Sequence, residues 1–270
     1  MSNQSAVSSL PFFGVANQKG GVGKSTFSLA AADKLTLDGR EPAVIQIDNQ
    51  QRLSRALGRE IMTIQSDPKA TRFEAEQELR RFSPLLDAVQ SAAGKSPVLI
   101  DIGAGEVGRF AHWASLVDLE EDVTEWGFDP LVFFLPFLSE GEAIDQASWT
   151  AERLKAALPA VRICLVENQR DGRIADLHPD SSAARAFSRL LRDLGGGVSH
   201  LTMPAIPGRS WRHFEVAGCR FDDVVDLPTS EIMQLTGLPR AEAKIARGDI
   251  AQWLISMFTE LDRVFSGDRS

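Results

Sequence analysis

Residues 14–28 read GVANQKGGVGKSTFS, and the segment KGGVGKST (19–26) holds the elements of a phosphate-binding loop. The stretch does not fit the plain G-x-x-x-x-G-K-[ST] spacing, because Gln18 stands where that pattern has its first glycine. The shorter core is nevertheless complete. Gly20, Gly21 and Gly23 allow the backbone to curl until successive N–H groups face phosphate oxygens. A helix opening near Lys24 adds the positive end of its dipole. Lys24 is placed to neutralise the β- and γ-phosphates and Ser25 to hold Mg2+, with Val22 and Thr26 completing the nucleotide-binding loop. A second lysine, Lys19, stands at the front edge of a loop that already has its phosphate lysine.

Working outward, the apolar run 12–16 leads straight into this loop, and 25–37 carries apolar or small residues at helical spacing, stopped by Asp38-Gly39. AVIQI (43–47), VLIDI (98–102), LVFFL (131–135) and VRICLVEN (161–168) read as further strands. Helices are expected over 73–90, broken or restarted by Pro84, and over 107–119, 140–158, 180–194 and 241–265. This alternation predicts an α/β fold, a mainly parallel twisted sheet with helices on both faces and right-handed crossovers. There is no repeat, low-complexity tract or linker. The expectation is one domain over 1–270, with residues 1–10 as a flexible tail.

Composition narrows the function classes. A net charge of −8 argues against coating nucleic acid through bulk charge, although a local basic patch stays open, and arginines greatly outnumber lysines. Cys164 and Cys219 lie far apart in no metal-like or redox-like spacing, which fits a reduced cytosolic setting. The first ten residues have neither a basic start nor an apolar core, so no secretion signal is read there. The run PLVFFLPFL (130–138) is too short to span a bilayer. The chain reads as soluble and intracellular.

The segment NQKGGVGKST resembles the deviant phosphate loop of the ParA/MinD family of ATPases, and its Asn-Gln lead-in is most similar to the ParA branch. The resemblance implies ATP and Mg2+ as cofactors and a homodimer that sandwiches ATP, with Lys19 reaching the nucleotide of the other subunit. Gln46-Ile-Asp48-Asn-Gln50 is similar to the family's D-x-D-P-Q segment. Asp48 thereby takes the position that orients the attacking water, so Lys19, Lys24 and Asp48 are the catalytic candidates. Gln46 replaces the first carboxylate, and an amide cannot accept a proton as a carboxylate can. In VLIDIGAG (98–105), Asp101 matches the strand-end aspartate that meets Mg2+ through water, so Ser25 and Asp101 are the metal candidates. Gly103 and Gly105 supply the backbone freedom a switch segment needs, although the proline usual in this turn is absent. Asn168 in ENQRDGR (167–173) matches an asparagine that contacts the base. The letters N-Q-R-D are also similar to a guanine-reading pattern, but Gln169 lacks its lysine, which favours adenine. MPAIPGRS (203–210) resembles the loop that packs on the base, with Pro207 and Gly208 as candidates.

ParA-like proteins bind DNA non-specifically as ATP dimers and are released when a ParB-like or other adaptor stimulates hydrolysis, so the resemblance implies those partners. Arg185, Arg189 and Arg192 fall on one helix face, opposite Phe187, Leu190, Leu191 and Leu194. Such a row suits phosphates, although a charged stripe opposite an apolar one is usually a solvated face. Arg52, Arg55 and Arg59 form a second row, and Arg240, Lys244 and Arg247 a third. MinD-like proteins instead bind membranes through a basic C-terminal helix. Here Trp253, Leu254, Met257, Phe258, Leu261 and Phe265 make an apolar stripe, but Asp249, Glu260 and Asp262 would repel anionic lipid, so packing onto the domain is expected. Roughly fifty residues separate Asp48 from Asp101, which is short for a ParA protein and weakens any assignment of an adaptor.

Overall fold

The computed structural model describes residues 9–49, 52–65 and 80–265. Seven strands form one parallel sheet: β1 (Leu10–Ala16), β2 (Ala43–Ile47), β3 (Met62–Ile64), β4 (Val98–Ile102), β5 (Phe128–Phe137), β6 (Arg162–Asn168) and β7 (Ser199–Met203), in the order β3-β2-β4-β1-β5-β6-β7. Every pairing is parallel. The central strands are apolar on both faces because both are covered, as parallel sheets require. Phe12 faces one core cluster and Phe13 the other, the period-two alternation of a strand. At Gly14 a Cβ would sit 2.2 Å from the Phe133 ring, so only glycine lets β1 lie against β5 at this point.

The helices are α1 (Lys24–Leu37), α2 (Arg52–Leu57), α3 (Ser83–Ala92), α4 (Val107–Leu116), α5 (Leu119–Glu125), α6 (Gly141–Ala157), α7 (Ser182–Leu194), α8 (Trp211–Ala217), α9 (Phe221–Asp226), α10 (Thr229–Thr236) and α11 (Arg240–Phe265). The α/β architecture expected from the sequence is the one found. Several boundaries differ, each for a local reason. Leu10 already pairs with Phe128 of β5, so the chain enters the sheet inside the stretch read as a tail, whose residues 1–8 lie outside the described residues. Of the helix expected over 73–90, residues 73–79 are also outside them; the restart expected at Pro84 is found, with Arg80 helical, a turn at Arg81 and Phe82, and Pro84 in the first turn of α3, which needs no proline N–H. The helix expected over 107–119 ends at Leu116 and restarts at Leu119, because Asp118 takes a left-handed φ of 51°.

The long helix α11 is bound to the body. Trp253, Leu254, Met257 and Leu261 are buried, Phe265 stacks on Phe13 at 4.7 Å, and Trp253 Nε1 donates to the Pro204 carbonyl at 2.8 Å. Its apolar stripe is thus spent on the core. No helix among the described residues is long and apolar enough to cross a membrane.

A buried ion pair ties α1 to the chain entering α9. Asp33 has a fully buried side chain, and Arg220 grips its Oδ1 through Nε at 2.9 Å and Nη2 at 2.6 Å. Burial raises the Asp33 carboxyl to about 6 against the opposing pull of Arg220. A folded-state value above the ordinary one means that this group favours folding below about pH 4, and that the advantage is lost as pH rises through 6. Arg220→Ala should therefore cost about 3–5 kcal/mol at pH 7.5, because it strands a buried charge. The cost should shrink at pH 5, where Asp33 can protonate. Urea unfolding of wild type and variant at the two pH values reads both effects.

Candidate nucleotide-binding site

The residues singled out from the sequence sit at the carboxyl ends of parallel strands, where ligands bind in open α/β sheets. The glycine-rich loop joins β1 to α1, Asp48 follows β2, Asp101 lies in β4 and Asn168 closes β6. Pro207 opens a short turn, Pro207–Arg209, after β7, in which Pro207 and Gly208 are exposed and Gly208 has φ 56°. From that strand it is Met203 that reaches the loop, as a Cβ on Gly23 would lie 2.7 Å from its Cε.

The loop is fastened at both ends. At its entrance the buried Asn17 donates through Nδ2 to the Pro136 carbonyl at 2.8 Å and accepts from the Lys19 N–H at 2.8 Å. The Gln18 N–H donates to Thr150 Oγ1 at 3.1 Å. At its exit Gly23 caps α1 with φ 97°, and a Cβ there would also come within 2.6 Å of Asn168 Nδ2. Glycine is required at this position by both conformation and space. Lys24 folds back to donate from Nζ to the Lys19 carbonyl at 2.8 Å, and burial lowers its pKa despite Asp101 and Asp48.

Asp101 is 2% exposed and accepts from Ser25 Oγ at 3.1 Å and from Ser28 Oγ at 2.9 Å. Burial pushes its carboxyl up to about 6, against the pull of Ser28, Lys24 and Ser25. Asp48 packs against the turn that follows: the Gly103 N–H donates to the Ile47 carbonyl at 2.7 Å, and a Cβ on Gly103 would meet Asp48 Cγ at 2.9 Å. One hydroxyl and one carboxylate beside a loop for phosphates suit Mg2+, which takes few protein ligands and keeps its waters. Among the described residues no group of three His, Cys, Asp or Glu side chains offers an all-protein metal cage.

Gln46 neighbours Asp101 across the β2–β4 pairing and is fully buried. Its Oε1 accepts from the Ser54 N–H of α2 at 3.4 Å, so the residue in place of the family's first carboxylate links the sheet to the next helix. Gln50 of the same segment lies outside the described residues.

Asn168 uses its amide on the loop itself, donating from Nδ2 to the Val22 carbonyl at 2.9 Å while Oδ1 accepts from the Arg170 N–H at 3.0 Å. Four participants escaped sequence reading: Ser28, Thr150, Arg170 and Glu142. Ser28 carried a signal, one helical turn after Ser25 on the same face. Arg170 Nη1 donates to the Gly21 carbonyl at 2.9 Å. Lys19 projects from the loop to an ion pair with Glu142 of α6 at 2.7 Å.

The basic rows fare differently. Arg185, Arg189 and Arg192 are all exposed on α7, with Arg189 pairing to Asp145 at 3.1 Å and Arg192 to Asp193 at 3.8 Å. Arg240 and Lys244 are exposed on α11, whereas Arg247 is half-buried and donates to the Leu227 carbonyl at 2.8 Å. That contact gives Arg247 a structural task, because it satisfies a carbonyl at the end of α9. Arg59 is likewise engaged with Glu41 and the Pro42 carbonyl, and the Arg52 side chain lies outside the described residues.

Replacing Asp101 with asparagine removes a carboxylate whose burial is unfavourable. Asp101→Asn should raise the stability of the nucleotide-free protein by about 1–3 kcal/mol in urea unfolding. The same variant should lose the strengthening of ATP binding by Mg2+ in calorimetry. Retained Mg2+ dependence would show that Asp101 stays clear of the cation.

Solved structures are similar to this chain at low identity, and the first of them shares its fold. The septum site-determining protein MinD complexed with Mg-ADP, from Pyrococcus horikoshii OT3, is 17% identical, with 97% of this chain and 99% of that chain covered and a TM-score of 0.54. The McdA(D38A)–ATP complex of Cyanothece is 12% identical over 92% and 97% of the two chains, with a TM-score of 0.48. MinD in a MinC:MinD complex from Aquifex aeolicus is 16% identical over 91% and 95%, with a TM-score of 0.46. No curated protein matches the sequence. The family model of the CobQ/CobB/MinD/ParA nucleotide binding domain matches residues 13–221, a span that begins in β1 and runs through the glycine loop, Asp48, Asp101 and Asn168 to the start of α9. The chain belongs to the CobQ/CobB/MinD/ParA family of nucleotide-binding proteins, the group that holds the deviant-loop ATPases.

Proposed function

We propose that the whole chain works as one ParA-like ATPase domain that binds ATP with Mg2+, closes into a homodimer around two nucleotides, and reopens on hydrolysis. The observation that carries this reading is the outward course of Lys19. Lys24 turns inward onto the loop, while Lys19 leaves it and pairs with the exposed Glu142. A lysine so placed can be handed to a second subunit's phosphates. In this reading Gly20, Gly21, Val22, Gly23, Lys24, Ser25 and Thr26 cradle the phosphates, and Ser25 and Asp101 hold Mg2+. Asp48 positions water, and Asn168 and Pro207 border the base. Bound Mg2+ supplies charge neutralisation at the phosphates.

The output proposed for the cycle is positioning of a plasmid, chromosome region or other large cargo, with non-specific DNA as the track and a ParB-like adaptor as the stimulator. The exposed Arg185, Arg189, Arg192, Arg240 and Lys244 support the DNA contact, and Arg247 contributes least. Burial of the α11 stripe against the sheet favours DNA over a MinD-like membrane anchor.

A second reading, a nucleotide-gated switch with little turnover, is favoured by Gln46. Its amide is engaged with α2 and offers no proton acceptor beside Asp48.

Light-scattering measurement of mass with ATP, ADP and no nucleotide tests the first reading. Wild type should become a dimer with ATP alone, and Lys19→Ala should stay monomeric. Glu142→Gln should dimerise at up to about thirtyfold lower concentration, since two exposed ion pairs open per dimer and each is worth about 0.2–1 kcal/mol. A wild type that stays monomeric with ATP would overturn the proposal. Phosphate release separates the two readings: Asp48→Ala should fall well below wild type in an ATPase. Equally negligible rates with dimerisation intact would identify the switch.

A further inference from the structure

Three carbonyls of the glycine loop are tied by side-chain donors. Lys24 Nζ holds that of Lys19 at 2.8 Å, Arg170 Nη1 that of Gly21 at 2.9 Å, and Asn168 Nδ2 that of Val22 at 2.9 Å. These peptide groups are trans, the one cis bond among the described residues being Asp129–Pro130. In a planar trans peptide the C=O and the following N–H point in opposite directions. Each tie therefore aims the next amide as well: Gly20, Val22 and Gly23 turn their N–H groups away from the donor that grips the preceding carbonyl. The alternation is helped by Gly21 and Gly23, at φ 76° and 97°, a conformation in which successive N–H groups form an anion-binding concavity.

Lys24 belongs to the loop and Asn168 was expected at the base, but Arg170 has no place in the motif. We propose that Arg170 is a positioning residue of the nucleotide site, which fixes the Gly21–Val22 peptide so that the Val22 N–H faces the phosphates. The assignment rests on the nucleotide reading of the loop given above. The guanidinium is built for this task. Asp171 binds its Nε at 3.2 Å and its Nη2 at 2.7 Å, leaving Nη1 for the Gly21 carbonyl. The Arg170 N–H donates to Asn168 Oδ1 at 3.0 Å, so the two residues form one bracket on consecutive loop carbonyls. The planar fork meets the carboxylate through Nε and Nη2 and the carbonyl through Nη1 in one fixed geometry, whereas a lysine ammonium would hold both acceptors as a point charge without that directionality. The bracket works through the loop backbone, so its effect belongs to the phosphates and is blind to the base.

The test is calorimetric titration of Mg2+–ATP, Mg2+–ADP and Mg2+–GTP into wild type, Arg170→Ala, Arg170→Lys, Asp171→Asn and Lys24→Ala. Arg170→Ala should weaken all three nucleotides by a common factor of about five to ten, the net scale of one ordinary hydrogen bond. Arg170→Lys should recover part of the loss, and Asp171→Asn should lie between it and wild type. The melting temperature without nucleotide should stay at the wild-type value, because the Arg170 side chain is 55% exposed. ATP binding within twofold of wild type in Arg170→Ala, or a loss confined to one base, would overturn the assignment. A fall in the nucleotide-free melting temperature matching the affinity loss would assign Arg170 to general stability and overturn it too. Lys24→Ala separates the two levels: if it leaves nucleotide binding intact, the loop reading itself fails. If it abolishes binding while Arg170→Ala does not weaken it, only the role of Arg170 fails.

Discussion

A carboxylate at the end of a central strand, shut away from water, is the constraint around which this molecule is arranged. Asp101 sits in β4 between β1 and β2, and its charge is unfavourable there unless neighbours answer it. They come from the start of α1: the hydroxyls of Ser25 and Ser28 in its first two turns and the cation of Lys24 at its first position. To bring those groups together, α1 must start directly after β1 and lie across β4. That in turn requires a loop tight enough to reverse over a few residues. The glycines, the small side chains of α1 and the parallel register of the central strands all serve this one placement.

The central part of the design was legible because it is local. A buried parallel strand must be apolar throughout, so AVIQI and VLIDI declare themselves, and a loop that curls around phosphate needs glycine at positions neighbouring residues disclose. The illegible part depends on distance along the chain. Gly21 and Arg170 are 149 positions apart, and nothing near either residue announces the other. Glu142 looked like any acidic residue in the first turn of a helix. The elements between 211 and 236 are six to eight residues long, too short for a periodic signal, and β7 carries polar residues that mask it as a strand.

Substitution within a shared framework also misled in one direction. Gln46 occupies a place where its relatives' pattern has a carboxylate, and the sequence invited a comparison of acid strength. The structure shows a different task, an amide that spans two backbone elements beneath the site. Arg247 makes the same point on the surface. Spacing put it in a row with Arg240 and Lys244, but the turn of α11 sends it inward to a carbonyl. Charge patterns in sequence report direction from the helix axis, and only the neighbouring elements decide whether that direction meets solvent.

The stacking of Phe265 on Phe13 has a consequence for how the molecule is assembled. Phe13 belongs to the first strand and Phe265 to the last turn of the final helix, so this contact closes nearly the whole described chain into one loop. Loop-closure entropy makes such contacts late, and they form only on a surface already built from nearer neighbours. The sheet must therefore stand before α11 can be laid down, and α11 acts as a seal on work already completed. During synthesis on a ribosome, α1 and β5 can cover part of the face of β1 that carries Phe13, but the ring of Phe265 joins it only when almost every described residue has been made.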